Sequence, residues 1–324
     1  MHSRDQLDEG RYAVTSKKSE PTGLSEERSP STEREVASPP ARRRTNRSWL
    51  RRLALSFTMI YLLLCVAMFF MQRSLLYPRN PEHVSLDEKE LAAGVTDLTL
   101  TTTDGIDLKA WYQPSPHSDI TILFLHGNGG HRGYRREFCQ LLRAQGAGVL
   151  ALDYRGYGGS EGTPSEEGLY LDAEAAFRWI EENISGPIIL MGESLGSGVA
   201  IEIARRHQVD GLIIHAGYSS ITEVAQSHFP LIPIGVLLRD HYDSLSKIEE
   251  LHCPKLFFHG KNDRIIPLRL GERLFLAAPE PKKWIAIENA AHNDLWLTDL
   301  AKYFAEVRIF VDAVADASKK TESQ

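Results

Sequence analysis

The chain has 324 residues, a formal net charge of −6 and 42% hydrophobic residues. So mild a charge argues neither for nucleic acid nor for a strongly acidic or basic substrate, and no nucleic-acid partner is expected, while about 250 residues from Leu75 onward suffice for one large α/β core. Cys65, Cys139 and Cys253 have no spacing for a zinc site or a disulfide framework and read as buried small apolar residues, so cysteine usage leaves the redox compartment open.

From Met1 to about Arg52 the sequence is rich in Ser, Pro, Glu, Arg and Thr and nearly free of aliphatic side chains. Such a stretch buries too little apolar surface to offset its ordering entropy, so 1–52 is expected to be a disordered tail. Leu53–Met71 then carries no charge over 19 residues. At about 1.5 Å per residue it spans most of a hydrocarbon core of roughly 30 Å. A cleaved signal peptide fits less well, because a long polar region precedes the run and no Ala-x-Ala-like site follows it. Arg42, Arg43, Arg44, Arg47, Arg51 and Arg52 crowd the amino side, whereas Arg73, Arg79 and Lys89 are spread over a longer stretch beyond it. That asymmetry predicts a cytoplasmic tail and a large domain, 72–316, on the other side of the membrane.

Within that domain, Val95–Thr103 and Ile106–Tyr112 flank Asp104-Gly105 and predict a β-hairpin. The near-continuous apolar run Ile120–Leu125 predicts a strand covered on both faces. A helix near Tyr134–Gln145 and a strand at Gly148–Asp153 follow. Thr163-Pro164-Ser165-Glu166 has capping-box spacing and predicts a helix running to about Glu182. Further strands are expected at Ile188–Met191, Gly211–His215, Lys255–His259 and Lys283–Ile287. Helices are expected at Val199–Arg206, Pro267–Ala278 and Leu295–Val314, with 317–324 disordered. Strands alternating with helices imply an α/β fold: a mostly parallel sheet with an antiparallel leading hairpin and helices on both faces. The segment Gly217–Leu251 interrupts the alternation and reads as a small cap insertion.

The chemistry centres on Gly192-Glu193-Ser194-Leu195-Gly196, which follows an apolar strand and precedes a helix. This is the nucleophile-elbow pattern: two glycines let strand and helix cross closely and expose the serine hydroxyl above a helix N-terminus. A serine needs a base, and the base needs an orienting carboxylate. Asp263 follows the Lys255 strand and His292 follows the Lys283 strand, in the order Ser, Asp, His. Ser194 is therefore assigned as nucleophile, His292 as general base and acid, and Asp263 as the group fixing the imidazole tautomer. Asp294, two residues from His292, reads as the N-cap of the last helix. The backbone N–H groups of Leu195 and Asn128 are the candidate oxyanion donors. Asp153, Arg155 and Tyr157 read as loop braces, and His126, His215 and His259, each at a strand end, as residues shaping loops. Nothing resembles a phosphate loop or a metal-ligand cluster, so neither cofactor nor metal is expected. The apolar part of the insertion, His228–Leu238, could line an acyl pocket, touch lipid or pack as plain core.

With these residues in view, the chain resembles the α/β-hydrolase superfamily, and more closely its membrane-anchored abhydrolase-domain serine hydrolases, the depalmitoylase-like and serine-aminopeptidase-like branch. The resemblance rests on Leu75-Leu76-Tyr77-Pro78, His126-Gly127-Asn128-Gly129-Gly130, Asp153-Tyr154-Arg155-Gly156-Tyr157-Gly158, the elbow itself, His259-Gly260-Lys261-Asn262-Asp263 and Ala291-His292-Asn293-Asp294. It implies hydrolysis of acyl esters or thioesters through an acyl-enzyme, with Ser194, Asp263 and His292 as triad. Related chains often carry a Pro-Phe-Thr-Ser turn where this one has Ala216-Gly217-Tyr218-Ser219-Ser220. A membrane-anchored ester hydrolase acting on acyl esters, with lipid among the candidate substrates, is the leading expectation. An acyl-protein thioesterase, an aminopeptidase or amidase on the same fold, and a non-catalytic tethered binding module stand as alternatives.

Overall fold

The computed structural model describes residues 47–115 and 117–322. The expected disordered tail lies outside these residues over 1–46, whereas 47–52 form the first turns of a helix. That helix, α1 (Arg47–Leu76), has 30 residues and is long and apolar enough to cross a bilayer. It extends past both ends of Leu53–Met71, because Ser48–Arg52 and Gln72–Leu76 contain no helix breaker. A capped turn, α2 (Glu88–Ala92), follows, with Asp87 and Glu90 forming a reciprocal capping box.

The chain then enters the sheet at one edge. Strands β1 (Thr96–Thr101) and β2 (Asp107–Gln113) form the antiparallel hairpin, and Gly105 supplies the positive φ its turn needs. In chain order come β3 (Thr121–Leu125), a 3-10 turn (Arg132–Arg135), α3 (Arg136–Arg143), β4 (Gly148–Asp153), α4 (Glu166–Asn183), β5 (Ile188–Glu193), α5 (Leu195–Arg206) and β6 (Gly211–His215). Then follow α6 (Ile221–His228), α7 (Ile234–Leu237), α8 (Ser244–Ile248), β7 (Lys255–Gly260), α9 (Leu268–Ala277), β8 (Lys282–Ile287), α10 (Leu295–Thr298) and α11 (Leu300–Glu322). The eight strands run in the order β1-β2-β4-β3-β5-β6-β7-β8, antiparallel through β2/β4 and parallel from β4 onward. This is the α/β-hydrolase fold, a mixed sheet with an antiparallel leading edge and helices on both faces.

Every residue of β3, β4 and β6 is buried, as a strand covered on both sides requires. Along β3, Leu123 and Leu125 point into the layer shared with α4, α5, α8 and α9, while Ile122 and Phe124 point into the layer shared with α3, α10 and α11. This period-2 alternation fixes the register, since a one-residue slip would exchange the two faces.

Three local expectations need correction. The cap of α4 is Ser165, whose hydroxyl accepts from the Gly168 N–H, not Thr163; a glycine at that position cannot return the bond, so no capping box forms. Asp294 occupies the residue before α10, yet its carboxylate accepts from the Ala291 N–H at 2.6 Å and makes no bond into the helix. Its backbone (φ −115°, ψ 15°) is not extended, so the side chain folds back over the preceding turn. Finally, the last helix is broken at Asp299 and its second part runs on to Glu322, so 317–322, expected to be disordered, is helical.

Candidate active site

The site lies at the carboxyl ends of β5, β7 and β8, the edge where open α/β sheets place ligands. Ser194 sits between β5 and α5 with φ 51° and ψ −117°. For a residue with a side chain this is a strained conformation, held only where the surroundings over-determine it. The strain is fixed from three sides. The Ser194 N–H donates to the His215 carbonyl at 2.8 Å. Its carbonyl accepts from the Ser197 hydroxyl at 2.6 Å and from the Ser197 N–H at 2.9 Å. Gly192 and Gly196 do the rest: a Cβ on Gly192 would collide with the Gly196 carbonyl, and one on Gly196 with the carbonyls of Leu125 and His126.

Asp263 and His292 reach Ser194 from the loops after β7 and β8. Those loops are tied together by Lys261 N–H to Ile287 O at 3.1 Å and Asn262 N–H to Ala290 O at 2.9 Å. Asp263 accepts at Oδ1 from the N–H groups of Ile265 (2.9 Å) and Ile266 (2.8 Å), and its Oδ2 lies 2.7 Å from His292 Nδ1. Burial alone would raise the Asp263 pKa, but the bond to His292 and the backbone donors outweigh it and hold the carboxyl below its usual value. The ionised carboxylate can only accept, so Nδ1 carries the proton and Nε2 is left as an acceptor. His292 Nε2 stands 2.9 Å from Ser194 Oγ. Beneath this line, His259 donates from Nε2 to the Ile266 carbonyl at 3.0 Å, and burial lowers its pKa, so it packs as a neutral ring.

The candidate oxyanion donors flank Ser194. Leu195 opens α5, where N–H groups have no intrahelical acceptor. Asn128 lies on the loop after β3 and lines the same cavity as Ser194 and Leu195. Its side-chain amide donates to the Leu76 carbonyl at 3.0 Å, and its own carbonyl accepts from the Tyr157 hydroxyl at 3.0 Å. Sequence reasoning assigned no role to Arg135 and Glu193, which hold this loop to the elbow. Arg135 pairs with Glu193 at 2.6 Å and donates to the Gly129 carbonyl at 2.6 Å. Burial opposes ionisation of Glu193, but the guanidinium more than offsets it, and its pKa falls to about 2. The only signal available was that an acidic residue stands inside an otherwise apolar strand end. Of the expected braces, Asp153 pairs with the buried Arg132, and Arg155 bridges Asp172 and Asp104. His126 packs on Tyr154 and Tyr157 with ring centroids 4.6 and 5.3 Å away, and His215 bonds the Tyr303 hydroxyl at 2.8 Å.

Two environments meet at Ser194. On one side is a cavity of about 210 Å³, lined by Ile221, Val224, Ile232, Leu237, Leu238 and Ile266 among other apolar groups. Met68, Gln72, Leu75 and Leu76 of α1 form part of its wall. On the other side, His292 borders a polar groove with Lys261, Asn262, Asn289, Asn293 and Asp294. An apolar chain fits the first and a polar leaving group or water the second.

Comparison with known proteins bears on this arrangement. Residues 116–234 match the family model described as serine aminopeptidase, S33. An uncharacterized protein of Mycobacterium tuberculosis is 38% identical over 249 residues, covering 75% of this chain and 88% of that protein. A lysophosphatidylserine lipase of Danio rerio is 34% identical over 198 residues, 53% of this chain and 51% of the lipase, so the chain spans about half the length of that relative. Among solved structures, an esterase of Pyrococcus furiosus superposes with a TM-score of 0.61 at 19% identity, over 72% of this chain and 98% of the esterase. That likeness concerns the fold.

Proposed function

The chain belongs to the α/β-hydrolase superfamily and carries a catalytic domain of the serine-hydrolase type, and from that premise we propose that it is a single-pass membrane-anchored enzyme cleaving acyl esters through an acyl-enzyme. The observation that carries the reading is the unbroken line from Asp263 through His292 to Ser194, with bonds of 2.7 and 2.9 Å. Ser194 Oγ attacks the ester carbonyl as His292 Nε2 takes its proton, and Asp263 stabilises the imidazolium that forms. The tetrahedral oxyanion is met by the N–H groups of Leu195 and Asn128. His292 then protonates the leaving alkoxide, and the acyl group remains on Ser194. Water entering from the polar groove gives its proton to His292, attacks the acyl carbonyl and releases the acid, and His292 returns the proton to Ser194.

The apolar cavity beside Ser194 favours an acyl chain over a charged group. An aminopeptidase would need a free carboxylate for the substrate amine, and the one next to the nucleophile, Glu193, is bound to Arg135. The lipase activity named for the Danio rerio relative supports the same class. A thioester would follow the same steps with a thiol as leaving group. The excess of arginine before Leu53 orients the amino end to the cytoplasm and the catalytic domain to the opposite side.

The test is a fluorophosphonate probe on the full chain and on Ser194→Ala, with matched ester, thioester and aminoacyl-anilide substrates. Wild type is expected to be labelled and to turn over the ester fastest; Ser194→Ala is expected to lose labelling and at least about 10⁴-fold of kcat/KM. Equal labelling of both proteins, or none of either, favours a binding module, and fastest turnover of the anilide favours an amidase.

A further inference from the structure

The cap insertion and α1 are joined along one line. Tyr61 donates its hydroxyl to the Leu231 carbonyl at 2.9 Å. Eleven residues further on, Gln72 donates to the Leu237 carbonyl at 3.0 Å and accepts from the Arg239 N–H at 2.7 Å. Next to it, Arg73 forms a two-pronged pair with Asp240 at 2.8 and 3.0 Å, and the Arg239 guanidinium lies 4.4 Å from the Phe69 ring. Charged side chains on the domain side of both elements thus stop at one level, marked by Arg73 beside Gln72 on α1 and by Arg239 and Asp240 on the cap. On the amino-terminal side of that level, α1 carries no charge from Leu53 to Met71, and Phe229–Leu238 contains no charged residue.

We propose that the tip of the cap, Phe229–Leu238, is immersed in the hydrocarbon of the bilayer beside α1, so that the cavity leading to Ser194 opens sideways into the acyl-chain layer. The occupant of this exposed apolar face is the lipid bilayer, because the face is continuous with a helix of membrane-spanning length. Tyr61 lies about 16 Å along α1 from Gln72 at 1.5 Å per residue, and its bond to Leu231 brings the tip to that depth. If α1 crosses the membrane, the tip enters it too. Leu231 and Val236 are 83% and 84% exposed, with Phe229 and Ile265 half-exposed beside them. In water such side chains gain nothing; in hydrocarbon each is stabilised by about 25 cal/mol per Å² of apolar surface removed from water.

Most of the tip's backbone N–H groups, all but those of Leu231 and Gly235, also suit a medium without water, where each unpaired polar group is costly. The N–H groups of Phe229, Ile232, Ile234, Val236, Leu237 and Leu238 all have acceptors within the cap. Pro230 and Pro233 have no N–H to satisfy. The Leu231 carbonyl is the one Tyr61 meets, and Gln226 reaches the Pro230 carbonyl at 3.2 Å.

Immersion stands on its own, whereas sideways entry of a membrane-resident acyl ester rests on the proposed hydrolase activity. The test uses the full chain in phosphatidylcholine vesicles, in a background carrying Cys65→Ala, Cys139→Ala and Cys253→Ala. A single fluorophore is placed at Leu231→Cys, at Val236→Cys or at Leu276→Cys, the last an exposed site on α9 beside the first residue of β8. Phosphatidylcholine brominated along its acyl chains is expected to quench the first two labels several-fold more than the third, and aqueous iodide to quench the third more. The same response at all three sites overturns the immersion. Separately, the double variant Leu231→Glu/Val236→Glu, at positions that do not line the cavity, is compared with wild type. Hydrolysis of 4-methylumbelliferyl oleate dissolved in the vesicles is expected to fall at least tenfold, with hydrolysis of aqueous 4-methylumbelliferyl butyrate within twofold of wild type. Equal loss on both substrates, or loss on neither, overturns sideways entry. If wild type cleaves neither ester, the hydrolase reading fails while the quenching result still decides immersion.

Discussion

The sheet and the α1–cap region are built on opposite terms. Strands β3 to β6 are buried on both faces, and their neighbours in space are fixed by apolar packing and continuous ladders. The α1–cap region leaves large apolar side chains uncovered and is joined by a few polar contacts between residues 165 to 170 positions apart. Ser194, Asp263 and His292 stand on the first region, while much of the cavity wall beside Ser194 comes from the second. The first region holds the proposed triad in line with bonds of 2.7 and 2.9 Å; the second, which on the proposed reading meets the acyl chain of the substrate, is fastened at a few points.

Perturbations should separate the two regions. The largest effect on stability is expected from Gly196→Ala, whose added carbon meets the Leu125 and His126 carbonyls at the crossing of β5, α5 and β3. A loss of about 3 kcal/mol or more is expected, read as a lowered urea midpoint together with lost activity; an unchanged midpoint would mean that the crossing relaxes freely. Acid is expected to act next, also on the core. Burial pushes both His126 and His215 down to about 4. For a base whose folded pKa lies below its unfolded value of about 6.5, the unfolded chain takes up the proton first. The stability is therefore complete above pH 6.5 and declines as pH falls toward 4, by an amount on the order of a few kcal/mol. The measurement is the urea midpoint at pH 7, 5.5 and 4.5, with His215→Asn expected to flatten the slope. The smallest global effect is expected from Arg73→Met, which removes the partner of the buried Asp240. The unfolding free energy should fall by no more than about 1–2 kcal/mol, since Arg73 is itself 42% exposed and water can reach the space it leaves, yet proteolysis between Phe229 and Asp240 in detergent should quicken several-fold while cleavage within the sheet does not. Uniform acceleration everywhere would deny the cap a separate mode of attachment.

How far the sequence speaks follows the same division. The order of strands, the elbow around Ser194 and the strand-end positions of Asp263 and His292 are legible because each depends on a local pattern: apolar runs of strand length, glycines at a tight crossing, a loop after a known strand. The structure then brings the three side chains within hydrogen-bond range of one another. Details of chain termination were less legible. Thr163 and Ser165 compete for one cap, Asp294 turns backward to Ala291, and α11 outlasts its apolar pattern at Val314. Each of these turns on a backbone angle or a single alternative acceptor that composition does not encode.

The sequence by itself determined that a membrane-length apolar helix precedes an α/β core and that a serine sits on its sharpest turn, because hydrophobic period and glycine placement act over a few residues. Only the tertiary structure decided that Arg135 clasps Glu193 and Gly129 across the elbow, and that Tyr61, Gln72 and Arg73 fasten the cap to the helix. Those pairs join elements far apart in the chain, and which donor meets which carboxylate is settled by how the sheet twists and where the helices land, not by any spacing along the polypeptide.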